Sequence, residues 1–179
     1  LQGCVKDIDD LYEVLKAQYD IPEENYLILK NEEVSRANLI QSFRSHFSKL
    51  KDGDTAVFHY SGHGSWEDGS PEFVEAGLET AGNRNELIVV QNYGEEGVFN
   101  IADKELRWMI SELQFPKDQA TRNIQFIGLM DCCFSGSLFR DTEKRSRITL
   151  PETDQKRRLA DYLEGQYQEM YDAEGKVAF

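Results

Sequence analysis

The sequence predicts an α/β fold with a mainly parallel sheet and helices on both of its faces. Segments with helical hydrophobic spacing alternate along the chain with mostly apolar runs of strand length, of which 55–60 and 124–130 are the clearest. Strands covered by helices on both faces have this composition because neither face meets water. With 179 residues, 40% of them hydrophobic, the chain has the length and apolar content of one domain.

The first predicted helix spans residues 6–19 and is followed by a short strand at 26–29. Pro22 ends the helix, since proline cannot continue the backbone hydrogen bonding. The apolar residues of the helix follow the spacing i, i+3, i+4 and i+7 of an amphipathic helix, namely Ile8, Leu11, Tyr12 and Leu15.

A second helix is predicted after Ser35, whose hydroxyl can cap the first turn. The turn at residues 52–54, Asp-Gly-Asp, then leads into the strand at 55–60. The apolar positions of this helix are Leu39, Ile40, Phe43 and Phe47.

The second half of the chain repeats this alternation after a long excursion. A third apolar run at 87–90 precedes a helix that ends before Pro116, and the strand at 124–130 follows. A last helix is expected around residues 158–170, and the apolar residues 177–179 after Gly175 have the character of an opening strand. We therefore expect the chain to be part of a longer fold. The apolar positions of the helix before Pro116 are Leu106, Met109, Ile110 and Leu113.

Composition excludes several classes of function. A formal charge of -13 argues against direct binding to nucleic acid, which requires a basic surface. No stretch approaches the about 18 apolar residues that cross a bilayer, so no membrane partner is predicted. The three cysteines form neither a disulfide framework nor a zinc motif, which favours a reducing compartment and a cytoplasmic location.

Charge is unevenly distributed. Residues 65–81 carry five acids and no base, within a segment predicted as an acidic loop over 65–85. Residues 140–158 carry seven bases and four acids and are predicted as a basic loop. Solvated loops are the simplest interpretation of both segments.

Two motifs follow the two clearest strands: His-Tyr-Ser-Gly-His-Gly at 59–64 and Asp-Cys-Cys-Phe-Ser-Gly at 131–136. A histidine and a cysteine then leave the same edge of the sheet, where α/β folds place ligand sites. A thiol needs a base to become a nucleophile, and the oxyanion it forms needs amide donors, for which Gly64 and Cys133 are candidates. Either turn alone would more often be structural, but two together favour a site.

The two motifs together resemble the catalytic segments of caspase-like cysteine peptidases, and they are most similar to those of metacaspases and their bacterial relatives. Residues 1–7, Leu-Gln-Gly-Cys-Val-Lys-Asp, resemble the Gly-Cys-x-x-Asp segment that opens the first metacaspase helix. The resemblance covers residues 1 to about 139. It implies a three-layer caspase-like fold, of which this chain is the portion that corresponds to the large subunit.

The resemblance also implies roles for individual residues. Cys133 is the nucleophile, Cys132 the variable position before it, and His63 the general base. Gly64 contributes to the oxyanion site. The acids Asp7 and Asp131 form a pocket for the side chain of the residue before the scissile bond. Cys4 and Ser61 line the wall of this pocket. The expected activity is cleavage of proteins or peptides after Arg or Lys, through a Cys-His dyad and a thioester.

Two departures concern the nucleophile and calcium. Phe134 stands where the family commonly has histidine. Many metacaspases bind calcium through acids after the histidine loop, but residues 81–86 here hold two amides, one arginine and a single carboxylate, so no metal site is predicted. An alternative calcium site would use Glu67, Asp68 and Asp141.

The resemblance further implies a small subunit or regulatory domain as partner. The basic loop over 140–158 then becomes a segment with seven potential sites of self-cleavage.

Two other functions remain open from the sequence. One is a catalytically silent caspase-fold domain that acts as a scaffold, which the intact His63 and Cys133 disfavour. The other is a peptidase of this fold that selects Asn or Asp, which the acids Asp7 and Asp131 disfavour.

Overall fold

The computed structural model describes residues 3–75, 84–116, 120–132 and 157–168. The predicted α/β class is confirmed. Within these ranges the elements are, in chain order, α1 (Cys4–Gln18), α2 (Arg36–Phe47), β1 (Thr55–Ser61), β2 (Gly64–Asp68), α3 (Pro71–Glu75), β3 (Arg84–Ile88), β4 (Ile101–Ala102), α4 (Asp103–Gln114) and β5 (Gln125–Asp131).

The three longer helices form where the hydrophobic spacing predicts them. Ser35 caps α2 as expected, since its Oγ accepts a hydrogen bond from the backbone N–H of Asn38 at 3.4 Å. The apolar positions predicted for α2 and most of those predicted for α4 are buried. No helix in the described part of the chain is long and apolar enough to cross a membrane.

β1 and β5 form a parallel pair, and this pair positions both motifs. Its register ends with Ser61 opposite Asp131. One face of the pair packs against α2, where the ring of Phe43 lies 5.7 Å from Phe58 and 6.2 Å from Phe126 between centroids. Because parallel strands end at one edge, the chain segments that follow β1 and β5 start side by side.

The strand predicted at residues 26–29 does not form. These residues and the apolar side of α1 line a groove of about 750 Å³ that runs along β1. A strand requires a paired neighbour for its backbone groups, and residues 26–29 pair with no other described segment. None of these residues is fully buried, and Leu27 is 47% exposed. The apolar run therefore predicted neither burial nor pairing.

The acidic loop predicted over residues 65–85 is corrected by the structure. β2 and α3 lie within it, and β3 begins at its end. β2, β3 and β4 form an antiparallel sheet in which Gly64 pairs with Ile88. The buried apolar side chains of this sheet and its neighbouring helices include Phe73, Leu87, Ile101 and Met109.

The helix predicted around residues 158–170 is also corrected. Residues Leu159–Gly165 form a kinked 3-10 segment, in which Leu163 and Glu164 have φ of 46° and 52°. The kink turns the N–H of Leu163 inward, where it donates to Glu105 Oε1 at 2.8 Å. The predictions for Cys133, for 140–156 of the basic loop and for the strand at 177–179 lie outside the described residues.

Candidate active site

The shared edge of β1 and β5 is where the two motifs meet. The hydrogen bonding between the strands extends one residue beyond β1, because the N–H of Gly62 donates to the carbonyl of Asp131 at 3.3 Å. His63 is the next residue after Gly62, and Cys133 follows Asp131 by two positions in the sequence. The start of the histidine turn is thus tied directly to the start of the cysteine motif.

A group of acidic and polar side chains lies at this edge. Ser61 Oγ donates to Asp7 Oδ2 at 2.8 Å, and Ser61 is the register partner of Asp131. Asp7 lies in the first turn of α1, one turn after Cys4. The structure therefore brings together Asp7, Ser61 and Asp131, three of the four residues predicted to line the substrate pocket, with Cys4 at the adjacent helix start.

Two hydrogen bonds hold the backbone of His63 in place. Its carbonyl oxygen accepts from the hydroxyl of Tyr60 at 2.9 Å and from the N–H of Val89 at 3.1 Å. The imidazole Nδ1 is buried and has no hydrogen-bond partner among the described residues. The turn thus fixes the main chain of His63 and leaves one ring nitrogen available for a partner. Gly64, the predicted oxyanion donor, follows as the buried first residue of β2.

Gly62 has no room for a side chain. A Cβ at this position would lie 2.3 Å from Oη and 2.5 Å from Cζ of Tyr60. Gly62→Ala is therefore expected to displace the Tyr60 ring and to lower the free energy of unfolding by about 1–3 kcal/mol, the usual cost of overpacking. Because the displaced ring contacts His63, the peptidase activity that the family resemblance implies should fall as well.

Chemical denaturation and peptide hydrolysis measure both effects. Gly97→Ala is the control, because its added Cβ would meet nothing within 4 Å and only the left-handed backbone, with φ of 77°, is strained. The control should retain full activity. A Gly62→Ala protein as stable and as active as the wild type would show that the contact with Tyr60 is not constraining.

His59 is a site residue that sequence reasoning missed. It lies two positions before Ser61, so both side chains leave the same face of β1. Burial lowers the pKa of His59, and the nearby charges of Asp131 and Asp7 act in the opposite direction. The net lowering keeps the imidazole neutral at pH 7 beside the two acids. The period-two spacing from Ser61 was the signal that could have identified it.

A comparison with protein families identifies the chain. The family model described as metacaspase, peptidase C14 domain, matches residues 1–141 of the 179. The chain belongs to the metacaspase family. The family resemblance inferred from the two motifs is confirmed, and with it the caspase-like fold.

Individual relatives are metacaspases from an alga, a fungus and a plant. The chain is 28% identical over 142 residues to metacaspase III c of Phaeodactylum tricornutum, with 77% of this chain and 38% of the relative covered. For metacaspase-1A of Aspergillus oryzae the identity is 27%, with coverage of 76% and 31%. For metacaspase-7 of Arabidopsis thaliana it is 26%, with coverage of 87% and 36%. The chain thus spans between 31% and 38% of the length of these relatives.

This metacaspase chain contains a buried ion-pair network next to the histidine turn. Arg157 and Glu105 are fully buried, with Nη2 and Oε1 2.7 Å apart, and Arg157 Nη1 lies 3.3 Å from Glu67 Oε1. A second guanidinium, that of Arg36, donates to Glu105 at 3.1 Å. Since Glu67 is in β2, three residues after Gly64, the network joins residues 157–168 to the strand that follows His63.

The two carboxylates of this network respond differently to burial. Burial would raise the pKa of Glu105, but the charges of Arg157 and Arg36 and their hydrogen bonds outweigh it and lower the pKa. Burial also raises the pKa of Glu67, and Arg157 offsets only part of that effect. Glu105 is therefore the firmly ionised partner of Arg157.

The alternative calcium site does not fit this arrangement. Glu67 is engaged by Arg157 and by Asn85 Nδ2 at 3.1 Å, and Asp68 lies 3.9 Å from Arg84. Asp141 lies outside the described ranges, and the residues within them contain no cluster of three potential metal ligands. A cation would have to displace a guanidinium to use Glu67.

The two described arginines of the predicted basic loop differ in accessibility. The side chain of Arg157 is 0% exposed, whereas that of Arg158 is 72% exposed and pairs with Asp161 at 3.2 Å. In the folded chain Arg157 is therefore inaccessible to a second active site. Arg158 is the accessible one of the two.

Proposed function

We propose that this metacaspase domain is the catalytic part of a cysteine endopeptidase that cleaves after Arg or Lys. The observation that carries the proposal is the grouping of Asp7, Ser61 and Asp131 at the edge of the sheet where His63 is fixed and from which the chain continues to Cys133. The acidic group supplies selectivity, and the thiol and imidazole supply the chemistry.

The covalent chain supports the pairing of His63 with Cys133. Consecutive Cα atoms are about 3.8 Å apart, so the Cα of Cys133 lies within about 7.6 Å of the Cα of Asp131. The carbonyl of Asp131 is itself bonded to Gly62, which precedes His63. This distance allows a hydrogen bond between the thiol and the imidazole, with the half-buried Cys132 as the residue between β5 and the nucleophile.

The proposed reaction proceeds in two halves. His63 takes the thiol proton of Cys133, the sulfur attacks the scissile carbonyl carbon, and the amides of Gly64 and Cys133 stabilise the oxyanion. The C–N bond breaks as the imidazolium of His63 donates its proton to the leaving amine, which leaves a thioester. Water then attacks the thioester with His63 as base, releasing the carboxylic acid and restoring the thiol.

The charge of the pocket favours a basic side chain. Two carboxylates in one concave site attract a guanidinium or an ammonium group, and they repel an aspartate. The hydrogen bond from Ser61 fixes the orientation of the Asp7 carboxylate. The neutral His59 adds no competing positive charge at pH 7.

Removal of one pocket acid tests this selectivity. Asp7→Ala is expected to weaken the preference for Arg over Asn by about 2–5 kcal/mol, the usual cost of truncating one partner of a hydrogen-bonded charge pair that the bound substrate buries. Asp7 itself is partly buried in the free protein. The measurement is the ratio of kcat/KM for two peptides that differ only in that residue. Asp10→Ala is the matched control, since Asp10 is exposed on the same helix and pairs with Lys6. An Asp7→Ala enzyme with the wild-type ratio would contradict the pocket assignment.

The proposed function itself is tested with the full-length protein and four fluorogenic peptides. The peptides carry Arg, Lys, Asn or Asp before the reporter group and are otherwise identical. The proposal predicts turnover of the Arg and Lys peptides with or without added calcium. Preferential turnover of the Asn or Asp peptide would show a peptidase that selects Asn or Asp and would contradict the proposal. If no peptide is turned over, the result would favour a catalytically silent scaffold domain. Since the chain covers about a third of its relatives' length, the full-length protein supplies any small subunit or regulatory domain.

A further inference from the structure

We propose that the hydroxyl of Tyr60 is a positioning group for the general base His63, an inference that rests on the proposed peptidase function. Tyr60 is the last residue but one of β1 and is 9% exposed. Its Oη lies 2.9 Å from the carbonyl oxygen of His63 and 3.0 Å from that of Val89, and it shares its proton between them. One side chain of β1 thus holds the turn that carries the base and the segment after β3.

The turn at Gly62 and His63 is bonded to three other parts of the chain. The carbonyl of His63 accepts from the Tyr60 hydroxyl and from the N–H of Val89, while the N–H of Gly62 donates to Asp131. These bonds attach the turn to β1, to the end of β3 and to β5. The backbone of His63 can therefore shift relative to the cysteine motif only if some of them break.

Tyr60 is suited to this role because its ring and hydroxyl have separate effects. The ring fills the space above Gly62, where a Cβ would come within 2.5 Å of Cζ. The hydroxyl alone makes the two polar contacts. Burial raises the pKa of Tyr60, and the neighbouring Cys132 and Cys4 act in the same direction. The hydroxyl therefore remains protonated, and remains a donor, over the pH range in which a cysteine peptidase works.

The test is Tyr60→Phe in the full-length protein, which keeps the ring and removes only the hydroxyl. We expect kcat for an Arg peptide to fall between tenfold and a hundredfold, since misplacement of a catalytic group by about 1 Å can cost about a hundredfold. KM should change by less than about twofold, because the acidic pocket is untouched. The pH dependence of kcat/KM should also shift, since a displaced imidazole pairs differently with the thiol.

Tyr26→Phe is the matched control. The Tyr26 hydroxyl is also buried, has no hydrogen-bond partner among the described residues, and belongs to the segment along the groove. Its removal should leave kcat, KM and the pH profile unchanged. Active sites are counted with a thiol-reactive Arg probe so that kcat refers to folded enzyme only.

The possible results distinguish a failure of the positioning role of Tyr60 from a failure of the proposed peptidase function. An unchanged kcat per active site in Tyr60→Phe, even with a lower melting temperature, would reduce Tyr60 to a structural residue. A raised KM with unchanged kcat would assign it to substrate binding instead. If the wild type does not cleave the Arg peptide, or if Cys133→Ala still does, the proposed function fails and the positioning role fails with it.

Discussion

Cys133→Ala is expected to lower the hydrolysis of an Arg peptide on the order of 10⁴-fold or more. Alanine has no group that can form the thioester, so only binding and the oxyanion donors remain to accelerate attack by water. His63→Ala should cause a loss of similar order, because the thiol then lacks its base. The measurement is steady-state hydrolysis by purified full-length proteins, with circular dichroism to confirm that each variant is folded.

Cys132→Ala is the control for this experiment. Cys132 is adjacent to Cys133, but the alignment with the family motif places it at the variable position. The control variant should keep at least about half of the wild-type kcat/KM, since no step of the proposed reaction uses its sulfur. If Cys132→Ala is inactive and Cys133→Ala is active, Cys132 is the nucleophile and Cys133 is not.

Arg157→Ala is expected to produce the largest loss of stability among the described residues, about 3–5 kcal/mol in the free energy of unfolding. The guanidinium is fully buried and pairs with Glu105 and Glu67. Without it, two carboxylates remain in the interior with less positive charge near them. The free energy lost in this way is far larger than the contribution of an ion pair on the surface. Urea denaturation followed by tryptophan fluorescence measures the effect, because Trp108 is buried in the core.

The neighbouring arginine provides the control. Arg158→Ala removes an exposed guanidinium that pairs with Asp161 three residues away, so no measurable change in stability is expected. If both variants unfold at the same urea concentration as the wild type, the network does not anchor residues 157–168. A destabilised Arg157→Ala protein should also lose activity at temperatures where the strand carrying Glu67 loosens.

The local hydrophobic pattern was sufficient to predict the helices and strands that bury one continuous side. α2 and β1 both appear where their spacing places them, because the burial of Leu39 or Ala56 depends mainly on periodicity. Residues 26–29 had the right composition for a strand and formed none, since a strand also needs a neighbour. The kink at Leu163 was equally invisible, because it depends on a hydrogen bond to Glu105, 58 positions earlier.

The acidic segment shows why charge was misinterpreted. A run of acidic residues suggests a solvent-exposed loop, and this is correct for the exposed Asp68. Glu67 is instead buried, because its partner Arg157 comes from a segment 90 residues later. A local count of charges cannot reveal such a pairing. The same network removes Arg157 from the set of accessible cleavage sites.

The family resemblance predicts that Asp7, Ser61 and Asp131 line one pocket. In the structure the register of β1 with β5 places Ser61 beside Asp131, and a hydrogen bond joins Ser61 to Asp7. The resemblance did not indicate His59 or the hydroxyl of Tyr60, because neither belongs to the catalytic roles that the motifs define. The period-two spacing of His59 from Ser61 was present in the sequence, but the role of the Tyr60 hydroxyl could be recognised only after the turn geometry was known.

Covalent labelling identifies both the nucleophile and the side chain that its pocket selects. The full-length protein is incubated with an acyloxymethyl ketone peptide that ends in Arg and with its Asp counterpart, and the modified cysteine is located by tandem mass spectrometry. We expect an adduct on Cys133 with the Arg probe, little with the Asp probe, and protection by an Arg substrate. Labelling of Cys132 instead of Cys133, or equal labelling by both probes, would contradict this expectation.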